Sequence, residues 1–136
     1  MTESRCGIMH SETKNVFDPH KFVEAVATQN AKMLQGFFTP DAIICWHDSN
    51  EQFNVAEYVR ANCEYPGTWG GEVKRVEMID SGMVVVTKIF SDELTVLVTA
   101  FITLKDGKIG RLDEYYADCG KAPVWRREMN IGKPIN

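Results

Sequence analysis

Between residues 72 and 116 the chain reads as four consecutive strands separated by short turns. The segments EVKRVEMID (72 to 80), MVVVTKIFS (83 to 91), LTVLVTAFITL (94 to 104) and KIGRLDEYY (108 to 116) have a strand-like period. Asp80-Ser81-Gly82, Ser91-Asp92 and Asp106-Gly107 separate them. Apolar runs bounded by such turn residues predict strands. Connections this short leave no room for a crossover, so consecutive strands are antiparallel neighbours. A four-strand meander presents one face for other elements to cover, and most of the remaining chain lies upstream of it.

Those residues read as helices and one further strand. Asp18-Pro19 opens a helix, because Asp accepts from free first-turn amides and Pro is preorganised at the first helical position. Phe22, Val23, Val26 and Ala27 follow at helical spacing. Asn30 is placed to cap a second short helix carrying Met33, Leu34, Phe37 and Phe38. Thr39-Pro40-Asp41 reads as a turn and residues 42 to 48 as the first strand. Gln52-Phe53 reads as a short strand. Asn54 and Glu57 form a capping-box pattern for a third helix over about residues 55 to 64. Pro66-Gly67 and Gly70-Gly71 bracket a loop around Trp69. Helices segregated from an antiparallel sheet predict an α+β domain, and a curved sheet under helices leaves room for a cavity. The expected division is a polar segment over 1–17, the domain over 18–118, and a tail over 119–136 packing on it.

Composition excludes several classes. The chain has 136 residues, enough for one core without staples, and a formal net charge of -4. No basic stripe is present, so nucleic acid and anionic membrane are not expected partners. No apolar stretch approaches the ~20 residues that span a bilayer. The N-terminal MTESRCGIMHSETK lacks an apolar signal core, which leads to an expectation of a cytoplasmic protein. Cys6, Cys45, Cys63 and Cys119 form no CxxC pair and read as free thiols. Cys45, His47 and Asp48 lack a second ligand pair at metal spacing, so no metal and no cofactor are expected.

Two segments carry a family resemblance. FFTPDAIICWHDSNEQF, followed by a helix, resembles the "LF..DA..W.D" segment of the nuclear transport factor two-like superfamily. LKDGKIGRLDEYYAD is similar to the "DGKI…Y.D" ending of its SnoaL-like members. The resemblance implies a cone: a curved antiparallel sheet with N-terminal helices over its concave face, an apolar pocket inside, and a homodimer through the outer sheet face. It spans isomerases, dehydratases, cyclases and epoxide hydrolases, so it implies no single reaction.

Site residues follow from face assignments. Side chains alternate along a strand, so Ile44, Trp46 and Asp48 share one face and Cys45 and His47 the other. The position resembling Asp48 is the general base of ketosteroid isomerases, which points Asp48 and Trp46 inward. Val96, Val98, Ala100, Ile102 and Leu104 are uniformly apolar and are taken as inward. A three-residue loop at Asp106-Gly107 would then bring Leu112, Glu114 and Tyr116 to the same face, and turn Arg111, Asp113 and Tyr115 outward. Asp48 and Glu114 are therefore the expected catalytic carboxyl groups. Phe22, Trp46, Tyr58, Trp69, Val98, Ala100, Leu112 and Tyr116 are the expected ligand-binding wall. The resemblance departs at the oxyanion donors of ketosteroid isomerases. Phe22 stands at the helix Tyr position, and Ala100 (or Thr99) at the strand Asp position. Arg111 and Asp113 fall on the wrong face for an epoxide-hydrolase trio. The expected function is an isomerase-, cyclase- or dehydratase-like proton transfer on an apolar carbonyl-type substrate. The alternatives are a non-catalytic small-ligand binder and a protein-interaction module.

Overall fold

The structure is a computed structural model and describes residues 16–136. Most of the polar segment expected over 1–17, including Cys6, lies outside the described residues. In chain order the elements are α1 (Pro19–Ala27), α2 (Ala31–Gln35), β1 (Phe38–Trp46), β2 (Glu51–Phe53), α3 (Val55–Cys63), β3 (Gly70–Ile79), β4 (Gly82–Phe90), β5 (Thr95–Lys105), β6 (Lys108–Asp118) and α4 (Val124–Arg127).

The helix starts are set by the residues expected to cap them. Asp18 Oδ1 accepts from the backbone N–H of His20 at 2.9 Å. Asn30 Oδ1 accepts from Met33 N–H at 3.1 Å. Asn54 and Glu57 exchange two hydrogen bonds, of 2.8 and 2.9 Å, in a reciprocal capping box. Each satisfies amides that the first helical turn cannot.

The six strands form one sheet in the order β2-β1-β6-β5-β4-β3. β3 to β6 are the expected meander. The expectation of an all-antiparallel sheet is corrected at one junction: β1 pairs with β6 in parallel. The long chain between them, including α3, permits what a tight turn forbids. β1 also begins earlier than expected. Thr39-Pro40-Asp41 belongs to the strand, where the pairing with β6 shifts between Phe38 and Ile43. β2 pairs only with Ile44 to Trp46, so Pro40 lies on an unpaired edge, where a missing N–H costs no ladder bond.

The hairpin between β5 and β6 decides which side chains face inward. Lys105 pairs with Lys108 across a two-residue turn, with φ of 52° at Asp106 and 80° at Gly107. Paired left-handed residues suit the strand twist of a tight hairpin. The expected three-residue loop is thus replaced. A strict two-residue hairpin would place Arg111 opposite Ile102 and turn Glu114 outward. Instead the pairing shifts by one between Thr103 and Leu104, leaving Gly110 as the extra residue of a bulge. Ile102 faces Leu112, Ala100 faces Glu114 and Val98 faces Tyr116. The expected inner set is restored by a different device.

The inner face is covered by a continuous apolar core. Leu34, Ile44, Ile109 and Leu112 are fully buried, and Tyr58 nearly so. Phe17, Phe22, Phe37 and Phe38 meet with ring centroids 5.5 to 6.1 Å apart, and Phe38 meets Tyr58 at 5.4 Å. α1 lies close on β3: a β-carbon at Gly71 would sit 2.8 Å from Val23 Cγ1. Residues 117–136 are all exposed, with Trp125 63 % exposed. No described helix is long and apolar enough to cross a membrane.

Candidate functional site

At one end of the sheet the strands stop and a pocket opens. β1 ends at Trp46, a turn carries His47 to Asn50, and β6 ends at Tyr116 to Asp118. The C-terminal end of α3 and the loop through Trp69 close the other side. Gln29 ties the walls together by donating to the backbone carbonyls of Asn62 (3.0 Å) and Tyr65 (2.7 Å). Asn62 in turn donates to Val26 O at 3.0 Å. The cavity is about 360 Å³, within the range of small-ligand sites. Trp46, Tyr65, Trp69 and Tyr116 give it aromatic walls. Asp48, Glu51 and Asp118 line its rim.

Behind Trp46 and Tyr116 lies Glu114, only 5 % exposed. Its register opposite Trp46 on β1 and Ala100 on β5 aims it at the core. Trp46 Nε1 donates to Glu114 Oε1 at 2.9 Å, and the Tyr116 hydroxyl donates to the same oxygen at 3.4 Å. Burial raises its pKa to about 7; the two donors pull it back, and the nearby Asp48 charge adds to the rise. The phenols of Tyr58 and Tyr116 are raised well above 10, first by burial and then by Glu114, so both remain neutral donors. Glu114 also borders a second cavity, of about 20 Å³, between α1 and the sheet. That space holds about one water. Phe22, Thr87, Val98 and Ala100 share its wall, and Tyr116 borders both cavities.

The residues expected in one pocket are therefore divided. Trp46, Trp69 and Tyr116 line the mouth, as does Asp48. Phe22, Val98 and Ala100 surround only the one-water void, while Tyr58 and Leu112 are core. Aromatic packing fills the hollow expected to hold a ligand, so the open space moves to the rim. Asp48 is also displaced from expectation. β1 stops at Trp46, and Asp48 lies exposed in the following turn rather than inward on the strand. The dry surroundings that an unpaired carboxyl base needs fall on Glu114 instead. Gln29, Asn62, Tyr65 and Asp118 were not foreseen as site residues. Asp118 closes the YYAD segment, the one available signal; the others sit in helix ends and loops, whose juxtaposition has no local pattern.

On the opposite face, Cys45, His47 and Asp113 have ligand atoms all within 4.8 Å of one another. That is the donor set a soft divalent cation takes. Arg111 already fills it. Its guanidinium meets Asp113 at 2.9 and 3.2 Å and Cys45 Sγ at 3.5 Å, while His47 Nε2 lies 2.8 Å from Asp113. A metal would have to displace a fixed positive charge.

No family model matches the sequence, and no curated protein matches it. Solved structures do. A candidate ketosteroid isomerase from Kribbella flavida is 19% identical, with a TM-score of 0.71, covering 85% of this chain and 87% of that one. An NTF-2 like protein of unknown function from Burkholderia xenovorans is 18% identical, with a TM-score of 0.72 over 94% of this chain and 98% of that one. A candidate SnoaL-like polyketide cyclase from Shewanella putrefaciens is 11% identical, with a TM-score of 0.60, covering 82% and 83%. The chain has the curved α+β fold that these ketosteroid isomerase-like, NTF2-like and SnoaL-like proteins share.

Proposed function

We propose that the protein is a small-molecule pocket protein acting as an enzyme of isomerase or lyase type, with Glu114 as its proton-transfer group. One observation carries the reading. A carboxyl with a pKa near 7 is half ionised at neutral pH, so it can both take and return a proton. Tyr116 stands between this group and the mouth, and its rotation gives a substrate access. In the simplest reaction Glu114 takes a proton from the carbon beside a carbonyl, leaving an enolate. It returns the proton at a second carbon, and no atoms are gained or lost. Once that rotation releases it from Glu114, the neutral Tyr116 hydroxyl supplies the oxyanion donor that Phe22 and Ala100 do not. Asp48 assists from the rim by keeping Glu114 protonated to higher pH.

The test is a thermal-shift panel of small carbonyl compounds, lactones, epoxides and enones, followed by turnover of the compounds that bind. Glu114→Gln keeps shape and removes the base. Turnover that survives this change would rule out Glu114. If binding occurs and no compound turns over in the native protein, the non-catalytic binder is the correct reading.

A homodimer through the outer sheet face also belongs to this proposal. Leu97, Phe101 and Tyr115 are large apolar or aromatic side chains, 39 to 46 % exposed on that face. Sedimentation of the native chain and of Leu97→Glu/Phe101→Glu decides it: a dimer that the double variant splits supports the surface.

A further inference from the structure

We infer that the mouth pocket is built for an organic cation, an amine or quaternary ammonium group on a small molecule. The inference rests on the mouth being the ligand pocket, and it replaces the apolar substrate read from sequence with a charged one. Two independent features of the wall point to it.

The first is what the lining lacks. Among the described residues, the lining contains three carboxylates, Asp48, Glu51 and Asp118, and no lysine, arginine or histidine. Neither Asp48 nor Asp118 has an ion-pair or hydrogen-bond partner among the described residues. Carboxylates that share a cavity without a counter-charge attract a cation from solution.

The second is where the donors point. Nearly every side-chain N–H or O–H of the wall is already committed to the protein. Trp46 Nε1 donates to Glu114, and Trp69 Nε1 to Pro66 O at 2.9 Å. The amide nitrogens of Gln29 and Asn62 donate to backbone carbonyls. Ser49 donates to Glu51 at 2.7 Å, and Tyr116 to Glu114. What the lining side chains leave uncommitted is mainly acceptors: the carboxylate oxygens of Asp48 and Asp118 and the amide oxygens of Gln29 and Asn62, none with a hydrogen bond among the described residues. A carbonyl or anionic ligand would meet no free donor except the Tyr65 hydroxyl. An ammonium group would meet acceptors and a wall that includes four aromatic residues, whose rings attract positive charge. An amino group held at the rim would leave the rest of the molecule directed toward Tyr116 and Glu114.

The experiment is calorimetric titration of the full-length chain with matched pairs. Choline is set against 3,3-dimethylbutan-1-ol, its neutral isostere, and benzylamine against benzyl alcohol; cyclohexanone serves as a carbonyl control. The cation of each pair should bind at least about tenfold more tightly than its neutral partner. Raising the salt should narrow that ratio, because exposed charges are screened. Asp48→Asn/Asp118→Asn should bring the ratio close to one while leaving the neutral compounds unaffected. Asp118→Asn alone, outside the proposed proton-transfer machinery, should give part of the loss if the double variant folds poorly. Neutral compounds binding as tightly as their cations would overturn the inference and leave the pocket reading standing. No binding by any of the five would overturn both.

Discussion

Asp113 and Glu114 are consecutive on β6, and the alternation of a strand sends them to opposite faces with opposite fates. Asp113 has an arginine and a histidine at hydrogen-bond distance. Burial pushes its carboxyl up, but the hydrogen bonds and charges of Arg111 and His47 outweigh it and hold the pKa below the usual value. Among the described residues Glu114 has only two side-chain donors, the neutral Trp46 and Tyr116, and burial wins. The same carboxyl chemistry is thus held ionised on the outer face and raised to a pKa of about 7 on the inner one. What separates them is the charge of the partner: a cation compensates desolvation, whereas a neutral dipole compensates only part of it.

The largest expected effect tests the inner member. Glu114→Gln should lower turnover of an identified substrate by about 10²- to 10⁴-fold, the range general acid–base groups supply. Binding should change little, and steady-state kinetics with titration separate the two.

Next in size is a pH effect on stability. The Glu114 carboxyl is raised on folding, so the native state holds its proton longer than the unfolded chain does. Its contribution is complete below pH 4.5 and is lost as pH rises to about 7. The loss is on the order of 3 kcal/mol. Urea unfolding of the native chain at pH 5 and pH 8 should show this fall, and Glu114→Gln should remove it. Equal slopes in the two proteins would mean that Glu114 is not buried in solution.

Trp46→Phe sharpens the comparison by removing the better donor. It should cost about 1–3 kcal/mol and push the Glu114 pKa still higher. Carboxyl ¹³C titration by NMR reads the shift, and an unmoved titration would show that the indole is not the partner.

The smallest effect belongs to the outer member. Asp113→Asn removes an ion pair whose Arg111 side is half exposed, so less than about 1 kcal/mol should be lost at pH 7. Because the Asp113 pKa is lowered, its contribution is present above the ordinary Asp range and fades as pH falls. The difference between variant and parent should therefore shrink toward acid pH, opposite in sense to Glu114. Urea unfolding at pH 3 and pH 7 checks it.

The legible parts of the molecule are those decided within a few residues. Asp18, Asn30 and Asn54 each cap a helix through atoms two or three positions away, and short turns leave β3 to β6 no pairing but a meander. Glu114 was readable as inward because Val98, Ala100 and Ile102 mark the buried side of the strand it pairs with. Its path there was not, since the bulge at Gly110 has no counterpart in the apolar pattern. Asp48 was misplaced because strand length depends on a partner: β1 stops where β2 and β6 stop pairing with it.

What the sequence by itself determined is the set of elements, their caps and the division of residues between faces. These rest on hydrogen bonds and periodicity local to the chain. What only the tertiary structure decided is where space remains. Phe17, Phe22, Phe37, Phe38 and Tyr58 come from separate elements and converge to fill the hollow, while Trp46, Trp69, Tyr65 and Asp118 converge to frame the mouth. A cavity is the volume that distant side chains fail to fill, so no single segment encodes it.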